Sequence, residues 1–178
     1  MLCFVIVLVF QTATAQNRYF TKDAKINFNS STPLEDIVAN TSQATSFIDT
    51  DKNEIVFSVL TTSFNFRRAL MQEHFNENYM ESAKYPKAKF TGKIVSPVDW
   101  KSDKTVIVDV TGDLTLHGIT KNMTMKAKIT PGKSKILAAS EFTVTPEEFK
   151  IIIPSLVRDK IAKEVIVKID AVYIPYQQ

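Results

Sequence analysis

The sequence predicts a mainly all-β protein of seven to nine antiparallel strands, interrupted by one helical insertion. Three observations predict it. Apolar and polar residues alternate with period two through most of the chain, the pattern of a half-buried strand. The alternation fails in only two stretches, residues 67–86 and 155–164. The composition, 44% hydrophobic and 23% charged, is that of a packed chain and not of a disordered one. Strands with one oily face either stack as a sandwich or close as a barrel. At about eight strands a closed barrel holds side chains or one small ligand inside.

The first fifteen residues stand apart. MLCFVIVLVF is apolar throughout, and Ala13-Thr14-Ala15 has the A-x-A form that precedes a signal peptidase cut. The run is too short for a bilayer, which needs about 20 residues. Residues 1–15 are therefore expected to be a signal peptide, and residues 16–178 one domain. Cys3, the only cysteine, sits inside that run and not just after the cut. A lipid anchor is not expected, and the mature chain has no disulfide and no cysteine-based metal site. The expected location is periplasmic or secreted.

Ile26, Phe28 and Ser30 give the first alternating face. Residues 54–66 start apolar on both faces and resolve to Leu60, Phe64 and Phe66. In residues 67–86, Leu70 with His74 and Met71 with Phe75 stack at i,i+4, which predicts a helix ended by Pro86. Phe90, Gly92 and Ile94 return to strand spacing. Val106, Val108, Val110, Leu114 and Leu116 share one face of the next strand; Thr111, Asp113, Thr115 and His117 share the other. Gly118 allows a turn, after which Met123, Met125, Ala127 and Ile129 face inward, so the pair is a hairpin. Ile136, Ala138, Phe142 and Val144 form another face. Ser155 is a candidate cap for a short helix with Leu156, Val157 and Ile161 as its buried stripe. Val165, Val167, Ile169, Ala171 and Tyr173 form the last face.

The net charge of +3 is mild, and no basic block with interleaved aromatics occurs. Nucleic acid is not expected as a partner. The chain has four glycines, too few for a phosphate-cradling loop, and no G-x-S-x-G. It has two histidines, His74 and His117, without H-x-H or H-x(3)-H spacing; no metal site is expected. Asp113 lies about 13 Å from His117 along the strand, too far to orient it as a base. The expected role of His117 is to bond backbone around the Gly118 turn. No catalytic residue is assigned.

Two segments carry a resemblance. HFNENYMESAKYPKAKFTGKI, residues 74–94, resembles the H-F-x(4)-F/Y-x(3)-K-Y-P-x(3)-F segment of the YceI-like family. VTGDLTLHGITKNMTM, residues 110–125, resembles its G-x-L-T-L-H-G-V-T-K segment. The order and spacing also resemble the family, across essentially the whole mature chain. The resemblance implies an extended, lipocalin-like antiparallel barrel with a helical insertion, exported, commonly dimeric, and holding a polyisoprenoid or other long amphiphile in an apolar tunnel. Glu148-Phe149-Lys150 departs from the Asp-Phe-Gly of many members, so head-group and chain-length preference do not carry over.

On that reading the tunnel lining is drawn from Phe28, Phe57, Phe64, Phe66, Met71, Phe75, Tyr79, Met80, Phe90, Leu114, Leu116, Met123, Met125, Phe142, Phe149 and Tyr173. Met adapts its shape, and Phe offers a flat face. Arg67, Arg68, His74 and His117 are candidates for an anionic or quinone head group. Burying a five-carbon prenyl unit contributes about 3–4 kcal/mol gross, so tail burial alone would hold a chain. The expected ligand is a long-chain isoprenoid, quinone-like lipid or other amphiphile; no cofactor is expected. A homodimer and transient membrane contact are further expectations. Two alternatives remain: a solid-core interaction protein for a membrane redox partner, and an enzyme acting on a lipid through His117 or His74.

Overall fold

The computed structural model describes residues 17–176. Residues 1–15, with the expected cleavage motif and Cys3, lie outside the described residues. The strands are β1 (Arg18–Ser31), β2 (Asp36–Asp49), β3 (Glu54–Leu60), β4 (Asn65–Phe66), β5 (Lys87–Ile94), β6 (Val106–Leu116), β7 (Ile119–Thr130), β8 (Ile136–Val144) and β9 (Val165–Pro175), with one α-helix, α1 (Ala69–His74). They pair antiparallel in the order β1-β9-β8-β7-β6-β5-β3-β2, and β2 returns to β1. The result is a closed eight-stranded β-barrel, in which no long strand is left as a free edge. β4 attaches to β2 through Ala39↔Phe66 and Asn40↔Asn65.

The inward faces follow the alternation. In β6 and β7 the register pairs Val108 with Ala127, Val110 with Met125 and Leu116 with Ile119. A two-residue turn joins these strands, with φ of +49° at His117 and +73° at Gly118. Positive φ at both positions matches the right-handed twist of the flanking strands. Gly92 and Gly112 face each other across β5 and β6, and the Phe90 ring lies over both. A Cβ on Gly112 would stand 2.4 Å from the Gly92 Cα and 2.8 Å from Phe90 Cζ.

Successive strands run in opposite directions, so the connections fall at two ends. One end carries the β2–β3, β5–β6 and β7–β8 connections, and it is packed. Ile48, Val108, Ile129, Ile136 and Tyr173 there are exposed by 1% or less. The Tyr173 hydroxyl donates to Ser46 Oγ at 2.8 Å, and Ser46 Oγ donates to the Val56 carbonyl at 2.7 Å. Burial pushes the Tyr173 phenol well above its ordinary range, against the weaker lowering effect of the Ser46 hydrogen bond.

The other end carries the β1–β2 turn, the 61–86 link, the His117-Gly118 turn and the 145–164 link. There the wall parts twice. β2 pairs with β3 only over Thr45–Asp49, and β7 pairs with β8 only over Ala127–Thr130.

Three expectations are corrected. The helical insertion is shorter than residues 67–86: α1 has six residues and no side-chain cap, and Phe75–Tyr79 continues as a π-helical turn. The wider turn accompanies Phe75 stacking on Phe28 at 5.5 Å. Residues 155–160 form a 3-10 turn in which Ser155 makes no capping bond and Leu156 is 92% exposed. Pro154 occupies the cap position. Leu60 is exposed, because β3 ends there and the 3-10 turn Thr61–Ser63 resets the parity before Phe64; Ile55, Phe57 and Val59 point inward instead.

Candidate functional site: an apolar cup in the barrel

At the parted end the interior is a cavity of about 520 Å³. Its floor is Ile26, Ile55, Val110, Ala127, Ala138 and Ile169, one layer above the packed end. Small side chains at Ala88, Ala127 and Ala138 leave space where an Ile or Leu would fill it. The side wall is aromatic. Phe28 stands 5.4 Å from Phe64 and 5.5 Å from Phe75, and Phe66 stands 5.0 Å from Phe75, ring centre to ring centre. The site is therefore a cup, packed at one end, in place of a through tunnel.

Three segments form its mouth: the β1–β2 turn, the start of α1 and the 151–161 stretch. Arg68 Nη1 reaches Glu35 Oε1 at 3.0 Å, joining α1 to the turn. On the other side the Ala162 N–H donates to Ser30 Oγ at 2.8 Å, joining the 145–164 link to β1. Glu35, Arg68, His74 and Lys160 all border the cavity.

Of the sequence candidates, Phe28, Phe57, Phe64, Phe66, Met71, Phe75, Tyr79, Met80, Phe90, Leu114, Leu116, Met125 and Phe142 line the cavity. Met123, Phe149 and Tyr173 do not. Met123 packs half-buried against the core beside Gly112. Phe149 belongs to a second buried cluster with Met80, Val144 and Ile151. Tyr173 belongs to the packed end. Arg68 and His74 border the mouth; Arg67 and His117 do not. Sequence reasoning missed Glu35, Lys160 and the alanines. The alanines lay on the inward parity already read, but a search for large side chains passes over them.

His117 is the clearest correction. Strand parity placed it on the outer face, yet it is 9% exposed. It sits in the turn with positive φ, where strand parity no longer applies. Its Nε2 lies 2.8 Å from Glu81 Oε2 and its Nδ1 3.1 Å from the Phe149 carbonyl; the Tyr85 ring meets it edge-on at 4.6 Å. It bonds distant segments and not the backbone of its own turn. Both partners, the Glu81 carboxylate and the Phe149 carbonyl, are hydrogen-bond acceptors. Glu81 and Lys150, beside these contacts, also have positive φ, +44° and +56°. His117 thus ties the helical insertion, the β6–β7 turn and the 145–164 link at one point. Lys150 adopts the left-handed backbone directly after the Pro146–Phe149 turn.

Residues 12–173 match the family model of the YceI-like domain. The chain belongs to the YceI-like family. Protein YceI of Escherichia coli O157:H7 is 36% identical over 78 residues, which is 43% of this chain and 38% of the relative. A UPF0312 protein of Pseudomonas savastanoi is 37% identical over 78 residues, with the same coverage. The matched region spans 38% of the length of these curated relatives. Among solved structures, the fold is that of a polyisoprenoid binding domain from Saccharophagus degradans implicated in plant cell wall breakdown, with TM-score 0.77 at 17% identity over 90% of this chain and 99% of that one. Burkholderia cenocepacia BcnA has the same fold, with TM-score 0.71 at 15% identity over 84% of this chain and 95% of that one. The YceI-like barrel of this chain is thus the shared scaffold, and its cup is built from the residues named above.

Proposed function

We propose that this YceI-like chain is an exported binding protein that holds a polyisoprenoid, an isoprenoid quinone or a similar long amphiphile in its cup, and that it performs no catalysis. The observation that carries this reading is the cavity itself. Its volume of about 520 Å³ falls in the range of about 300–1,000 Å³ common to small-molecule sites. Its walls are phenyl rings, methionines and aliphatic side chains, which hold an oily tail by removing it from water. Each prenyl unit contributes about 3–4 kcal/mol gross, offset by the cost of ordering the chain. The polyisoprenoid binding domain of Saccharophagus degradans, with the same fold, supports this ligand class. Arg68, His74 and Lys160 stand where a polar head would emerge.

The cavity weighs against the solid-core alternative. The bonding of His117 weighs against its part in the enzyme alternative, because both ring nitrogens are engaged and neither faces the cup; His74 borders the cup without an acid or nucleophile assigned beside it. Export is supported by the Ala13-Thr14-Ala15 motif after the apolar run. The test is extraction of purified protein with organic solvent and mass spectrometry of the extract. Recovery of a long-chain isoprenoid amphiphile is expected. An extract without any such lipid, together with no uptake of added prenyl quinone, rejects the reading.

A further inference from the structure

The cup's mouth is rimmed by large apolar side chains that touch little protein. Leu156 is 92% exposed, Ile152 80%, Leu34 68% and Leu70 61%. Among the described residues these are four of the five most exposed large hydrophobics; the fifth, Ile107 at 64%, lies on the side wall in β6. The four come from three separate segments, each with a near neighbour in the cavity lining: Glu35 beside Leu34, Leu70 itself, and Ile153 and Val157 beside Ile152 and Leu156. The Arg68–Glu35 pair and the Ala162–Ser30 hydrogen bond hold these segments around one opening. Scattered single hydrophobics are ordinary on a surface, but a ring of them around an opening marks a contact site.

Cations outnumber carboxylates among the charged side chains that border the cavity. Of the charged side chains bordering the cavity, Arg68, Lys89 and Lys160 are cations, and Glu35, already bonded to Arg68, is the sole carboxylate among the described residues. Arg67 and Arg158 stand exposed next to the same segments, as do Asp36, Glu73 and Asp159. Apolar tips flanked by Arg and Lys match a bilayer interface, where the tips enter the acyl boundary and the cations meet anionic head groups.

We propose that the rim formed by Leu34, Leu70, Ile152 and Leu156 docks mouth-down on a lipid bilayer bearing anionic head groups, so that a lipid passes into the cup without crossing water. This rests on the lipid-binding reading of the cup. A water-insoluble tail resides in a membrane before it is bound, and a mouth held against that membrane shortens its exposed path.

The test places a tryptophan at Leu156→Trp or, as a side-wall control, at Ile107→Trp. Each full-length variant is mixed with vesicles of equal parts phosphatidylglycerol and phosphatidylcholine carrying brominated acyl chains. All variants share the same N-terminal segment and Trp100, so those contributions cancel. Docking predicts at least twofold quenching at position 156, little at 107, and little at either in pure phosphatidylcholine. The double variant Ile152→Ser/Leu156→Ser is expected to bind the mixed vesicles about tenfold more weakly, while its uptake of prenyl quinone added without vesicles stays as in the parent chain. Equal quenching at both positions, or equal quenching in neutral vesicles, overturns the proposal. So does a spectral change at position 156 produced by protein concentration alone, which would identify a second copy as the partner. Quenching as predicted with no quinone uptake by the parent chain rejects the cup reading, not the docking.

Discussion

The imidazole of His117 lies 2.8 Å from the Glu81 carboxylate, and this contact joins the helical insertion to the far turn of the β6–β7 hairpin. The ring is buried, so removing Glu81 leaves a buried nitrogen without its partner. Glu81→Ala is expected to cost about 1–3 kcal/mol, read as a lower urea midpoint. Amide exchange in residues 82–85 is expected to speed up more than in β6. Because the pair acts as a unit, Glu81→Ala/His117→Ala should cost less than the two single changes summed. Full additivity would show that the contact carries no coupling.

Lys150 holds φ of +56°, a conformation that costs a non-glycine residue about 1 kcal/mol. Lys150→Gly relieves that strain at an exposed position. It is expected to raise stability by about 0.5–1 kcal/mol. A lowered thermal midpoint would mean that the Lys150 side chain contributes a contact of its own.

Gly112 has no room for a methyl group, since a Cβ would stand 2.4 Å from both the Gly92 Cα and the Thr91 carbonyl oxygen. Neighbouring backbone cannot yield as a flexible side chain can. Gly112→Ala is expected to destabilise the barrel by about 1–3 kcal/mol and to shift the Phe90 ring into the cup. Chemical denaturation gives the first effect, and weaker ligand uptake gives the second. Unchanged denaturation would contradict the close packing of β5 on β6.

Tyr173 gives a pH dependence with a definite sign. Its phenol is raised by burial in the folded chain, while in the unfolded chain it ionises near about 10. The stability it contributes is complete below that value and falls as the pH rises beyond it, by about 1.4 kcal/mol per pH unit. Tyr173→Phe loses the hydrogen bond to Ser46 and is expected to be about 1 kcal/mol less stable at pH 8. The gap should close or reverse by about pH 11. Urea midpoints for both chains at the two values test it; a gap that stays constant contradicts the burial account.

The hairpin of β6 and β7 was legible in residues 106–129 because its pairing is local and its turn takes two residues. The inward rows ending in Ile169 and Tyr173 were legible for the same period-two reason. His117 was not, because positive φ removes it from the parity that its neighbours obey. Leu156 was misread as a buried stripe because helical spacing alone does not say whether any surface is present to cover it. The closed end was not legible either. Tyr173 and Ile169 share one parity, and only the three-dimensional layering puts one beneath the cup and the other in its floor. Arg67 and Arg68 are adjacent in sequence, and the Arg68 bond to Glu35 selects which one meets the mouth.

The most direct measurement is a titration of prenyl quinone into the parent chain and into Ala138→Phe, followed by calorimetry. Ala138 lines the cup from β8, so a phenyl ring there occupies the space meant for the tail without entering the packed end. Saturable binding by the parent chain, at least tenfold weaker binding by Ala138→Phe and an unfolding midpoint that does not fall are the predicted results. Equal affinity for both chains, or no binding by the parent, would contradict a lipid held inside the barrel.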